Sequence, residues 1–134
     1  MREILFRGKT EKGEWVYGAP FFEEDRCYII DDLFICDEYD CMGAVNHWVI
    51  PETVGQYTGL TDKNGKKIFE GDILEFSDRL VVVFWHAHLG CWDSSFLKLT
   101  NKQDGRDDMS PLNWDYKSEV IGNIHDNPEL LKGE

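Results

Sequence analysis

Turn-forming residues recur at short intervals along this chain, and that spacing admits many short strands but few long helices. The opening reads as a hairpin. Residues 3–7 form an apolar run, 8–13 a polar stretch bounded by Gly8 and Gly13, and 14–18 an aromatic strand closed by Pro20. Two further β-prone runs, 26–30 and 33–36, flank Asp31-Asp32, and two residues between such runs suggest a tight hairpin. Another strand is expected over 45–51, with Pro51 at its end or on an edge. Asn64-Gly65 is the strongest turn signal in the chain, because both residue types tolerate positive φ. Glu70-Gly71-Asp72 marks a second turn, with strands expected over 72–76 and 80–86. Val81-Val82-Val83-Phe84-Trp85 does not alternate, the pattern of a strand covered on both faces.

Past Gly90 a strand runs from Cys91 to Leu99, and 101–117 reads as a long surface loop with Trp114 and Tyr116 as anchors. The last strand is expected over 119–124. Asn127 then serves as an N-cap with Pro128 at the first helical position, giving a short helical turn over 128–132. The fold class that follows is mostly β, a small barrel or roll.

A chain of 134 residues has the usual size of one domain, and its hydrophobic fraction of 42% suits a packed core. No repeat or linker divides it, and no apolar run is long enough to span a bilayer. The first ten residues carry Arg2, Glu3, Arg7 and Lys9 and no apolar signal core, so the expectation is a cytoplasmic protein without membrane association. In that compartment the four cysteines, Cys27, Cys36, Cys41 and Cys91, are read as reduced thiols. Cys27 and Cys36 sit in apolar runs and behave as small core residues.

The net charge of −12 is unevenly spread. From Pro20 to Val45 there are eight acids against one base, Arg26, a net −7. Such a surface repels phosphate backbones and suits a basic partner. Glu23, Glu24, Asp25, Asp37, Glu38 and Asp40 are therefore the candidate partner-binding residues, although a solvated acidic face is the plainer account. The spacing lacks the alternating oxygen ligands and central glycine of a calcium loop.

His86-Ala87-His88-Leu89-Gly90-Cys91 is the best metal candidate. An extended chain puts His86 and His88 on one face, and a turn at Gly90 brings Cys91 toward them. Half-exposed histidines at a strand end are the commoner meaning of such a motif. Cys36 and Cys41 have metal or disulfide spacing, but the acids between them disfavour the thiolate. Lys63, Lys66 and Lys67 cluster at the Asn64-Gly65 turn near Tyr57 and Phe69, an arrangement suited to charge and stacking on a nucleic-acid strand. No phosphate-binding glycine loop or nucleophile elbow is present. No cofactor and no catalytic residue is expected.

Three stretches carry a family resemblance. They are Arg7-Gly8-Lys9 with Gly13-Glu14-Trp15-Val16-Tyr17-Gly18, then residues 50–74 around Gly59-Leu60-Thr61-Asp62-Lys63-Asn64-Gly65, and last Val120-Ile121-Gly122-Asn123-Ile124-His125-Asp126-Asn127-Pro128. Together they resemble the YopX family of phage and prophage proteins. The resemblance implies a single domain over 1–134, with N-terminal hairpins over 1–49, an SH3-like barrel over 50–126 and a helical tail over 127–134. It implies a phage or prophage origin, often beside replication or other early genes; it does not imply an activity, and it offers no catalytic residue to carry over. Relatives more usually carry Tyr-Glu where this chain has His125-Asp126, which counts against a general acid–base role for His125. Gly59, Gly65 and Gly71 suit turns, and Trp15, Tyr57, Phe69 and Phe76 suit the interior of a small barrel.

The functional expectation is a noncatalytic accessory protein that binds a host or phage protein through its acidic face. Self-association through open β edges is compatible with it. A nucleic-acid-associated replication factor is the alternative, and a metal-dependent enzyme is third.

Overall fold

The computed structural model describes residues 3–36, 41–76, 79–99 and 110–131. Ten strands form two antiparallel sheets. They are β1 (Phe6–Lys9), β2 (Trp15–Glu23), β3 (Arg26–Cys36), β4 (Cys41–Val49), β5 (Gly55–Thr61), β6 (Lys67–Phe69), β7 (Asp72–Glu75), β8 (Arg79–His86), β9 (Cys91–Leu99) and β10 (Glu119–Asn123). The six-stranded sheet has the order β4-β3-β2-β1-β5-β6, and the four-stranded sheet β10-β7-β8-β9. One short helix, α1 (Trp114–Lys117), and three 3₁₀ turns complete the described elements. No closed barrel forms among the described residues, and no helix there is long and apolar enough to cross a membrane. The chain divides into two compact units, Met1–Gln56 and Tyr57–Glu134, with β5 crossing the boundary.

In the first unit, β1 to β4 form a meander whose end returns to its beginning. The Ile50 N–H donates to the Lys9 carbonyl at 2.8 Å, and the Lys9 N–H donates to Thr53 Oγ1 at 2.8 Å. This return needs a residue without a side chain. A Cβ on Gly8 would lie 2.9–3.0 Å from the Val49 side chain. Gly8 is thus a strand residue under Val49, and the turn begins at Thr10, later than the glycine pattern suggests. Cys27, Ile29 and Val49 form the buried face, with Phe6, Val16 and Val54 packed against it.

Two expectations fail here. Asp31-Asp32 does not turn the chain: β3 runs through it, and the pairing with β4 shifts register between Ile30 and Asp32. A bulge accommodates one extra residue without reversing direction, so an acidic pair alone does not compel a hairpin. Pro20 does not close β2 either. It pairs with Ile29, beyond the last β1–β2 pair at Gly18, where no second neighbour asks for an N–H.

The second unit is organised around Ile68, Leu74, Phe76, Val81, Val83 and Trp114, with Leu60, Trp92 and Val120 at the margin. Trp114 is fully buried and anchors the end of the expected loop, whereas Tyr116 is exposed. Residues 101–109 of that loop lie outside the described residues. β8 is covered less evenly than its apolar run suggests. Val81 and Val83 are buried while Trp85 is 48% exposed. Gly65, Gly71 and Gly90 take positive φ at turns, whereas Gly59 takes it inside β5, where the pairing with β6 shifts register between Tyr57 and Thr61.

The turn at Asn64-Gly65 is fixed by a buried carboxylate. Asp62 Oδ1 accepts the N–H groups of Asn64 and Lys66, and Oδ2 accepts that of Val120 on β10, all at 2.9 Å. One side chain therefore ties a hairpin to a strand 58 residues away. At the C-terminal end Asn127 does not cap with its side chain as expected. Its Oδ1 accepts the Asn123 N–H, while its backbone carbonyl accepts from Leu130 in the 3₁₀ turn Pro128–Leu131. Gly122 leaves room for this, since a Cβ there would lie 2.3 Å from Asn127 Oδ1.

Asp62→Asn replaces one acceptor oxygen by an amide that faces another N–H. The expected loss is about 2–3 kcal/mol of unfolding free energy in a urea titration; an unchanged midpoint would show that the carboxylate is dispensable.

Candidate functional site

The outer face of the first unit carries an aromatic row that follows from strand register. Phe21 on β2 stands opposite Tyr28 on β3, and Tyr28 stands opposite Trp48 on β4. Because side chains alternate, these rings share the face opposite buried Cys27, Ile29 and Val49. The Phe21 and Tyr28 ring centroids are 6.3 Å apart, and those of Tyr28 and Trp48 are 4.0 Å apart. Arg26 places its guanidinium 5.2 Å from the Trp48 ring centre. Phe21 and Trp48 remain about half exposed, at 52% and 50%. Covering such a ring contributes about 2 kcal/mol to an association.

Glu23, Glu24 and Asp25 lie at the β2–β3 turn beside this row, all exposed. Glu24 has φ +55°, a left-handed conformation that costs a non-glycine residue about 1 kcal/mol. Asp37, Glu38 and Asp40 lie outside the described residues. An open groove of about 520 Å³ reaches the end of the row. One wall is the turn 10–14, the other Asn46, His47 and Trp48. Glu11, Lys12 and Glu14 are exposed on the first wall.

The other candidates are dispersed or occupied. His86 and Cys91 are register partners across β8 and β9, and the His86 and His88 rings are 6.2 Å apart. However, the Leu89 N–H donates to His86 Nδ1 at 3.2 Å, and the three side chains form no metal-sized cluster. Among the described residues no group of three or more His, Cys, Asp or Glu converges on a common point. Cys36 and Cys41 are register partners at the end of the β3–β4 pair. Of the three lysines, Lys63 lies 4.0 Å from Glu119 and Lys67 sits 5.3 Å from the Tyr57 ring centre. Tyr57 and Phe69 are buried against each other, so neither presents a face on which a base could stack. His125 and Asp126 are drawn into a turn, their N–H groups donating to Asn123 Oδ1.

The acids at 23–25 were legible in composition. The aromatic row was not, because expecting a turn at Asp31-Asp32 removes the β3–β4 pairing that aligns Tyr28 with Trp48. Alternation in Cys27-Tyr28-Ile29 was the available signal.

Fold and face define a mostly β, two-sheet protein with an open aromatic and acidic face on its first unit. The chain belongs to the YopX family: the family model, described as YopX protein, matches residues 5–132. It is also similar to the crystal structure of protein EF1440 from Enterococcus faecalis, with 26% sequence identity and a TM-score of 0.63. That similarity covers 98% of this chain and 100% of the other. No curated protein matches the chain.

The cysteines give a direct check of the first unit. Burial pushes the Cys27 thiol above its ordinary value of 9.0, offset in part by a backbone hydrogen bond at Phe21. A raised folded value means that folding favours the protonated thiol, so this contribution is lost as pH rises above 9. Cys91 is exposed. In a C36S/C41S background, a thiol reagent such as DTNB at pH 8 is expected to label Cys91 rapidly and Cys27 only on unfolding. Rapid labelling of both in the folded protein would contradict the buried placement of Cys27.

Proposed function

We propose that the protein is a noncatalytic binding module that holds a basic segment of a host or phage protein against the outer face of its first unit. The observation that carries this reading is the juxtaposition of the half-exposed Phe21–Tyr28–Trp48 row with the exposed acids Glu23, Glu24 and Asp25. Aromatic faces attract lysine and arginine through their quadrupole, and neighbouring carboxylates add charge attraction. Arg26 already stacks on Trp48 within the chain, an internal example of the contact a partner's cation would make. Residues 1–56 carry twelve acids against five bases, which steers a basic partner toward this unit. In this proposal the strands between 50 and 126 serve as an SH3-like scaffold, and no chemistry is assigned to them.

The test is an anisotropy titration with fluorescein-labelled poly-L-lysine at low salt. The E23Q/E24Q/D25N and W48A variants are each expected to weaken binding by roughly tenfold, with circular dichroism unchanged. Fluorescein-labelled single-stranded DNA, titrated separately without polylysine, is not expected to bind. Equal affinity of all variants would remove the reading. Tighter binding of a DNA strand, lost on K63Q/K66Q/K67Q, would favour the nucleic-acid alternative instead.

A further inference from the structure

We infer that β4, the terminal strand of the six-stranded sheet, receives the partner as an added strand, the partner being an extended basic peptide segment laid along its outer edge. This rests on the proposed binding function and specifies its geometry. Four strands lie at sheet edges among the described residues: β4, β6, β9 and β10. Natural edges are protected by brevity, charge, proline or bulges, because an outer row of backbone groups otherwise recruits another chain. Three of the four have such protection. β6 is three residues long and carries Lys67, β9 carries Asp93 and Lys98, and β10 is broken by a register shift between Val120 and Gly122. β4 has none of these devices on its own chain. Its nine residues, Cys41-Met42-Gly43-Ala44-Val45-Asn46-His47-Trp48-Val49, include no Asp, Glu, Lys, Arg or Pro.

The same edge is unevenly supported on its inner side. β2 pairs with β3 only as far as Ile30, so beyond Asn46 the β3–β4 pair continues as a two-stranded ribbon. Two strands alone are marginal in water, and a third strengthens them. The open groove lies where an added strand would enter, between Asn46–Trp48 and the turn 10–14 that carries Glu11 and Glu14. Trp48 links the groove to the aromatic row. A strand along β4 would gain main-chain hydrogen bonds from the edge and place alternate side chains toward these rings and acids. Charge selects a basic segment over a second copy, since two copies pairing at β4 would bring two strongly acidic units together.

The probe is acetyl-(Lys-Val)₄-amide, which spans about 27 Å when extended, compared with the same peptide methylated on every backbone nitrogen. Methylation keeps the charge and removes the donors that a ladder needs. The unmodified peptide is expected to bind at low salt and to slow hydrogen exchange at amides of residues 41–49, with the methylated peptide weaker by roughly tenfold or more. Equal binding of both peptides, weakened by E23Q/E24Q/D25N, would overturn strand addition and leave the charge-based function standing. Binding by neither would overturn both. Slow exchange at residues 41–49 in the protein alone, with a dimer in sedimentation velocity, would assign the edge to a second copy and overturn the inference.

Discussion

The first unit depends on the contact between Gly8 and Val49. A strand that curls back on its own beginning must pass within about van der Waals distance of it, and here the missing Cβ of Gly8 makes that approach possible. The hydrogen bonds from Ile50 to Lys9 and from Lys9 to Thr53 then hold the return. The Thr53 hydroxyl donates onward to the Ile50 carbonyl, so the segment after β4 is braced at both ends. Curling has a consequence for the surface. One face closes over Cys27, Ile29 and Val49, and the rings of Phe21, Tyr28 and Trp48 are turned outward.

The second unit solves a different problem. Its hydrophobic cluster includes Ile68 of β6, with Leu60 of β5 and Val120 of β10 packed against it, and a carboxylate adds a polar tie between the hairpin and the last strand. Asp62 is almost completely buried and satisfies three backbone donors. A buried charge is tolerable when its lone pairs are filled in this way, and removing it leaves donors stranded. Asp72 acts similarly over a shorter distance, accepting the Phe69 N–H at 2.8 Å. These carboxylates are bound up in backbone hydrogen bonds, unlike the exposed acids at residues 23–25.

Local chemistry made some elements legible. Gly65, Gly71 and Gly90 mark turns because positive φ is a property of single residues, and each takes it. Asn127-Pro128 marked the final 3₁₀ turn, although the side chain of Asn127 reaches back to β10. What failed depended on pairing. Asp31-Asp32 resembles a turn in isolation, yet a longer β4 pairs across it and converts it to a bulge. The aromatic row was hidden for the same reason, since Phe21, Tyr28 and Trp48 become neighbours only once three strands are in register. Composition revealed the acidic half of the candidate face, and tertiary pairing supplied the aromatic half. Among the described residues the strands form two antiparallel sheets and no closed barrel.

The curled first unit is the claim from which the exposed face and the open edge both follow. A double-mutant cycle on Gly8→Ala and Val49→Ala measures it most directly, with stability read from urea unfolding. Alanine at position 8 is expected to cost about 1–3 kcal/mol beside Val49 and at least about 1 kcal/mol less once position 49 has been cut back to alanine. The same cost in both backgrounds would mean that β1 and β4 do not meet there, and the account of the first unit would fall.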